Sequence, residues 1–81
     1  MAQACNISQK ADLDALVDRA VSEYGRLDVM ANVAGVASDG LLADVSEDEV
    51  DRMLSINVKG QLFGCQAALR VMQPQGSGSI V

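Results

Sequence analysis

Three observations predict an α/β fold with the element order strand–helix–strand–helix–strand. Residues 13–24 repeat apolar side chains at helical spacing, residues 27–34 form a short apolar run, and residues 46–49 begin a second, longer helical pattern. The 81 residues allow one small domain at most. Only Tyr24 and Phe63 are aromatic, so an independent core would be marginal. We therefore expect an internal segment of a larger α/β protein. The alternative is a natural small domain with short edge strands.

The first predicted elements are the end of a strand at residues 2–7 and an amphipathic helix that follows it. Ser8 is the expected N-cap of this helix, and Gly25 is the expected stop. Apolar side chains recur along one helical face with a period of 3.6 residues; they are Leu13, Leu16, Val17, Ala20, Val21 and Tyr24. This spacing predicts that Tyr24 belongs to the core.

Residues 27–34 predict the second strand. The run is nearly continuous in apolar residues and too short for a helix, since Gly25 precedes it and Gly35 ends it. Alternation with polar residues is missing, which is typical of a parallel strand that is covered on both faces. A loop over residues 36–45 follows, broken by Ser38, Asp39 and Gly40.

A capping box opens the second helix, because the Ser46 hydroxyl can accept from the Glu49 amide. The helix is predicted to run to Met72 and to be blocked by Pro74. Gly60 and Gly64 lie four residues apart in it. Each costs about 1 kcal/mol relative to Ala, which indicates close approach of the sheet or of a partner helix. Residues 79–81 predict the start of a third strand.

Charge and composition exclude several classes of protein. A net charge of −5 and a pI near 4.3 argue against nucleic acid and anionic membranes as partners. No apolar run reaches the length of about 20 residues that a membrane span needs. No secretory leader is recognised. Cys5 and Cys65 stand apart and there is no His, which predicts reduced thiols, no metal site and a cytoplasmic location.

Four short motifs, in register along nearly the whole chain, resemble the short-chain dehydrogenase/reductase family in its classical branch. They are residues 5–8 (Cys-Asn-Ile-Ser), 27–35 (Leu-Asp-Val-Met-Ala-Asn-Val-Ala-Gly), 56–60 (Ile-Asn-Val-Lys-Gly) and 78–81 (Gly-Ser-Ile-Val). The second motif is similar to the family's fourth strand with its Asn-Asn-Ala-Gly sequence. Val33 replaces the second Asn, which exchanges a polar contact for apolar packing.

The resemblance implies a partial Rossmann-type, doubly wound parallel sheet, in which residues 1–81 are the central part of a single NAD(P)-binding domain. The parent protein would interconvert an alcohol and a ketone or related carbonyl by hydride transfer, with NAD or NADP as cofactor. The family's Gly-rich phosphate loop and its Tyr-x-x-x-Lys pair do not occur in these residues. We therefore expect the isolated chain to be inactive. The alternative is a non-catalytic interaction or structural α/β module derived from this family.

The resemblance also implies roles for individual residues. Asn57 matches the helix asparagine that holds a water in the family's proton relay; a structurally satisfied amide is the alternative. The implied cofactor contacts are Asn6 and Ile7 at adenine, Asn32 at the ribose, Ala34 and Gly35 where backbone and cofactor approach, and Val58 in the adenosine pocket. Each role has a structural alternative. Asn6 and Ile7 would simply form a strand-to-helix junction, and Asn32 would be a strand-end residue satisfied by backbone. Ala34 and Gly35 would form an ordinary turn, and Val58 would pack in the core. The helix over 47–72 is expected to mediate a homo-oligomer.

Overall fold

The computed structural model describes residues 2–37 and 40–81, so Met1 and the predicted loop positions Ser38 and Asp39 lie outside the described part. It confirms the α/β class. The elements are α1 (Lys10–Tyr24), β1 (Val29–Met30), a 3₁₀ turn (Leu42–Asp44), α2 (Glu47–Leu54), a π turn (Ser55–Lys59), α3 (Gly60–Gln75) and β2 (Ser79–Ile80). The second and fourth of the five predicted elements are thus helices, and the third and fifth are strands.

β1 and β2 form a parallel two-stranded sheet in which Met30 lies opposite Ile80. The hydrogen bonds continue beyond the assigned strands. The Val81 amide donates to the Met30 carbonyl at 2.8 Å, and the Asn32 amide donates to the Val81 carbonyl at 2.8 Å. The predicted third strand is therefore confirmed, and its partner is the predicted second strand.

Helices cover only one face of β1. Met30 packs against the core of Leu13, Val17 and Ala67, which joins α1 to α3. On the other face, Val29 is 60% exposed and Val33 is 85% exposed. The prediction of a strand covered on both faces is wrong for this chain, because the described residues provide no second layer.

Residues 2–7 do not form the predicted first strand. Residues 2–6 have no regular structure and residues 7–8 form a turn, since no described strand lies beside them to complete a ladder. The Asn6 Oδ1 atom accepts from the Ser8 amide at 3.1 Å and from the Ser8 hydroxyl at 2.7 Å. Ser8 is therefore not the N-cap of α1; Gln9 occupies that position without a side-chain bond.

The end of α1 confirms one prediction and corrects another. Gly25 adopts a left-handed conformation with φ of 82°, and its amide donates to the Val21 carbonyl, as expected for a glycine stop. Tyr24, in contrast, is 64% exposed. It is not a core residue, because the last turn of α1 extends past the buried cluster.

The second helix is continuous from Glu47 to Gln75 and contains the π turn. Its predicted cap is confirmed, since the Ser46 hydroxyl accepts from the Glu49 amide at 3.2 Å. Pro74 does not end the helix but lies within its last turn. The helix ends at Gly76, whose φ of 74° reverses the chain. A last-turn proline removes only one helical hydrogen bond, and the Gln75 side chain anchors this turn by bonding both backbone groups of Leu27 at 2.9 Å.

Candidate functional site

Asn57 lies in the middle of the π turn and holds the loop that leaves β1. Its Oδ1 accepts from the Val36 amide at 2.8 Å, and its Nδ2 donates to the Val36 carbonyl at 2.7 Å. The wider turn is closed by a bond from the Gly60 amide to the Ser55 carbonyl. Single π turns inside α-helices occur frequently at functional sites. The sequence singled out Asn57 but carried no signal for the π turn.

Ala34 and Gly35 form the exposed backbone between β1 and this loop. A Cβ atom at Gly35 would lie 3.2 Å from the Asn57 Oδ1 atom, which is tight for a real contact. Ligands of open α/β sheets bind beyond the carboxyl ends of strands. The two small residues therefore leave backbone accessible where that class of fold binds its ligands.

Asn32 packs into the gap left by a glycine on α3. A Cβ atom at Gly64 would collide with the Asn32 side-chain oxygen, so the missing side chain makes room for the amide. Asn32 Nδ2 also lies 3.8 Å from the Cys65 sulfur. The predicted close approach of the sheet at this glycine is thus confirmed. The contact is made by Asn32, which continues the β1 ladder two residues beyond Met30.

Gln61 is a site residue that the sequence reasoning missed. Its Nε2 donates to the Asn32 carbonyl at 3.4 Å and to the Ala34 carbonyl at 3.3 Å. It follows Asn57 by four residues and so shares its helical face. That polar pair on an inward-facing stripe was the available signal. Together the two amides fix the backbone from Asn32 to Val36.

A cleft of about 150 Å³ lies between β1, α1 and α3. It brings together three of the predicted cofactor residues, Ile7, Asn32 and Ala34. Ile7 packs against Gly60, where a Cβ atom would be 2.6 Å from the Ile7 Cδ1 atom. The other lining residues are Cys5, Leu13, Leu16, Met30, Ala31, Val33, Gly60 and Gln61. No charged side chain lines the cleft, so it suits an uncharged group.

The remaining predicted residues lie outside this cleft. Asn57 and Gly35 lie beside its Ala34 end, as their contacts with each other and with Val36 require. Asn6 is exposed and its oxygen is bonded to Ser8. Val58 is 56% exposed. The structure therefore gathers Asn32, Ala34, Gly35 and Asn57 around one loop and leaves Asn6 and Val58 apart.

The Cys5 thiol is the one group near the cleft with a perturbed pKa among the described residues. Burial raises the pKa of Cys5, and the nearby negative charge of Asp12 raises it further. The thiol is therefore a weaker acid than an ordinary cysteine. Within residues 2–37 and 40–81, no three His, Cys, Asp or Glu side chains group as a metal site, and no helix combines the length and apolar character that a membrane crossing needs.

Comparison with known proteins identifies the class of fold to which this arrangement belongs. The family model described as short chain dehydrogenase matches residues 1–81. The chain therefore belongs to the short-chain dehydrogenase family, whose members are oxidoreductases.

Reductases and synthases are among the curated proteins to which the chain is similar. The chain is 43% identical over 81 residues to tropinone reductase-like 1 of Erythroxylum coca, covering 95% of this chain and 30% of that protein. It is 38% identical over 82 residues to a diacetyl reductase of Staphylococcus epidermidis that forms (S)-acetoin, covering 100% of this chain and 32% of that protein. The chain thus spans about a third of the length of the curated relatives it matches.

Solved structures match the whole arrangement of elements. A short-chain type dehydrogenase/reductase from Mycobacterium marinum superposes with a TM-score of 0.93 at 30% identity, covering 99% of this chain and 32% of that one. ElxO with NADP bound superposes with a TM-score of 0.86 at 32% identity, covering 93% of this chain and 31% of that one. The similar structures share a Rossmann-type fold, and one of them, ElxO, holds NADP.

Proposed function

We propose that residues 1–81 are the central part of a single NAD(P)-binding domain, in an oxidoreductase that interconverts an alcohol and a ketone or related carbonyl. The observation that carries this proposal is the loop at residues 34–36, where Ala34 and Gly35 expose backbone and Asn57 fixes Val36 through two hydrogen bonds. A rigid, accessible backbone at the carboxyl end of a strand is what a dinucleotide needs there.

The residues present fit the uncharged part of a nicotinamide dinucleotide. Asn32, Ala34 and Gly35 would contact it along the strand end, with Ile7 as an apolar wall and Asn6 and Val58 at the adenosine side. NAD or NADP would supply the hydride when bound. The lining of the cleft offers no basic side chain, so phosphate contacts would come from other parts of the protein.

Asn57 has hydrogen-bonding capacity beyond its contacts with Val36. An amide side chain carries two N–H donors and an oxygen with two lone pairs, and Val36 uses one of each. The second N–H and the second lone pair would hold a water that passes protons between the active site and solvent. Asn57 would thus combine loop positioning with a place in a proton relay.

A chimera tests the proposed activity. Residues 1–81 would replace the matching third of the S. epidermidis diacetyl reductase, and reduction of diacetyl would be followed with NADH and with NADPH. We expect the chimera to be active, and Asn32→Ala within it to raise KM for the cofactor. We expect Asn57→Ala to lower kcat by about 100-fold, the low end of the range that positioned proton transfer contributes.

Gln66→Ala in the same chimera is the matched control, since Gln66 lies on the exposed side of α3 and should leave both constants unchanged. A folded chimera that binds neither cofactor would contradict the proposal. For the isolated chain we expect neither turnover nor tight binding. Micromolar binding of NADH or NADPH to residues 1–81 alone would show that this second expectation is wrong.

The long helix would also mediate a homo-oligomer. Apolar side chains of Val50, Leu54 and Leu62 lie four and eight residues apart along Glu47–Gln75 and are 39–54% exposed. A stripe of this kind is suited to helix packing between subunits. Sedimentation of the active chimera, with and without Leu54→Glu and Leu62→Glu, would test this assignment.

A further inference from the structure

The backbone from Asn32 to Val36 is anchored at both ends but only once in between. The Asn32 amide donates into the ladder with β2, and Val36 bonds a side chain through both its amide and its carbonyl. Within the described part of the chain, Gln61 makes the one hydrogen bond that reaches residues 33–35. This stretch includes Gly35, and glycine has the freest backbone of all residue types. The position of the stretch therefore depends on the Gln61 side chain.

The Gln61 side chain bridges two carbonyls at once. Residues two apart in an extended chain direct their backbone groups to the same edge, which lets Asn32 and Ala34 accept from one nitrogen. Gln61 Nε2 lies 3.3 Å from the Ala34 oxygen and 3.4 Å from the Asn32 oxygen. An amide nitrogen carries two N–H donors, one for each carbonyl. Both distances exceed the usual range of about 2.7–3.2 Å, so the two bonds hold the strand end jointly.

The surroundings of Gln61 make these bonds sensitive to substitution. The side chain is half-buried and lines the cleft beside β1, where the described lining residues carry no charge. Hydrogen bonds in such an environment compete with less water, and removal of the donor leaves the carbonyls unsatisfied. A side chain without an amide at position 61 should therefore release the Ala34 carbonyl.

Gln61 and Asn57 act on different parts of the same loop. Asn57 bonds Val36, whereas Gln61 bonds Asn32 and Ala34. We propose that Gln61 is a positioning residue for the cofactor: it fixes the backbone against which an uncharged part of NAD or NADP would lie, without touching the cofactor itself. The inference rests on the proposed function and assigns cofactor affinity, but not proton transfer, to Gln61.

Carbon-13 NMR of the full chain tests the contact without requiring any activity. Gln61→Met keeps the length and the helix propensity of the side chain but removes both donors. We expect the carbonyl resonances of Asn32 and Ala34 to move upfield, because a carbonyl carbon resonates at lower field when its oxygen accepts a hydrogen bond. The Met30 carbonyl, which accepts from β2, should not move. Gln66→Met, at an exposed position of α3, should move none of the three.

The chimera with the S. epidermidis diacetyl reductase tests the consequence for the cofactor. We expect Gln61→Met to raise KM for the cofactor by about 2–10-fold, which corresponds to the net loss of one hydrogen bond. The kcat value should stay nearly unchanged, because Val36 keeps both of its bonds. Gln61→Glu should raise KM further, since a carboxylate sets an acceptor against two carbonyl oxygens. Gln66→Glu adds the same charge at an exposed position and should leave KM unchanged.

The outcomes separate this inference from the proposed function. An active chimera in which Gln61→Met lowers only the thermal midpoint and leaves KM unchanged would overturn the inference, because a merely structural role predicts that result. A fall in kcat as large as that of Asn57→Ala would also overturn it. Unmoved carbonyl resonances of Asn32 and Ala34 would show that the contact is absent. A folded chimera that binds neither cofactor would instead remove the proposed function, and this inference with it.

Discussion

The Asn57 side chain pairs with Val36 as a peptide group pairs with its neighbour in a sheet. The Asn57 Nδ2 donates to the Val36 carbonyl at 2.7 Å, and the Asn57 Oδ1 accepts from the Val36 amide at 2.8 Å. This pairing gives the loop after β1 partners that the sheet does not supply. An asparagine is required because a carboxylate has no donor for the Val36 carbonyl.

We therefore expect Asn57→Asp to loosen residues 34–37. The carboxylate keeps the bond from the Val36 amide but faces the Val36 carbonyl without a hydrogen, at a cost of about 1–3 kcal/mol. Hydrogen exchange at Val36 should accelerate by tenfold or more. Gln66→Glu adds the same charge to an exposed position of α3 and should leave the exchange rate unchanged. Equal protection of the Val36 amide in both variants would contradict this role of Asn57.

Cys5 leads to a prediction about pH. Since burial and then the Asp12 charge raise the pKa of the thiol, less thiolate is present at neutral pH than in an unfolded chain. Alkylation by iodoacetamide should therefore reach half its maximal rate at higher pH in the native chain than in guanidinium. Asp12→Asn should lower this midpoint without restoring it fully, because burial remains. A native midpoint below the denatured one would refute this explanation.

At the scale of elements, α3 and the strand approach closely because α3 carries glycine at the contact. Gly64 leaves the space that the Asn32 side chain fills, and Gly60 does the same for Ile7. Alanine would favour an isolated helix by about 1 kcal/mol. The two glycines thus sacrifice helix propensity for close packing.

We expect Gly64→Ala to destabilise the contact by about 1–3 kcal/mol, as overpacking does. The double variant Gly64→Ala with Asn32→Ala removes the collision and should recover most of the loss. The backbone amide of residue 32 donates to the Val81 carbonyl, so its hydrogen-exchange rate measures the loss in the single variant and the recovery in the double variant. If the single and double variants exchange equally fast, Asn32 is not the group that Gly64 accommodates.

The elements that the sequence predicted well are those with local signals. Ser46 with Glu49, Gly25 after Tyr24 and the apolar run 27–34 each specify a boundary within a few residues. The errors concern features that depend on neighbours. Residues 2–7 lack a strand partner, Tyr24 lies beyond the core, and Pro74 is tolerated because Gln75 binds Leu27. In the candidate site, the motifs singled out Asn57, Asn32 and Gly35, whose functional roles stay predictions, whereas the Gln61 contacts with the backbone of Asn32 and Ala34 became visible only in the fold.

The whole molecule is elongated, with extents of 48 × 22 × 16 Å. Among the described residues, the buried apolar side chains are Leu13, Val17, Ala67, Ala68 and Met72, whereas large side chains such as Leu41 and Leu42 are 72% and 91% exposed. A core this small offsets little of the conformational entropy lost on folding. Stability of the isolated chain should therefore be low.

Thermal unfolding of the isolated chain should be broad. We expect the helical circular dichroism signal at 222 nm to be lost gradually on heating, with no separate calorimetric peak, because cooperativity needs a shared core. A matched measurement on the chimera should show a sharp transition. A sharp calorimetric peak for residues 1–81 alone would instead favour an independently folding small domain.

The exposed apolar face of β1, where Val29 and Val33 are uncovered, affects the solubility of the chain. Unprotected strands stick to one another, and like charge is one means by which proteins prevent it. Here that charge comes from carboxylates, and it vanishes near the pI of about 4.3. Mild acid should therefore turn the dissolved protein into a precipitate that binds amyloid dyes, with Val29, Ala31 and Val33 in the contacts between molecules.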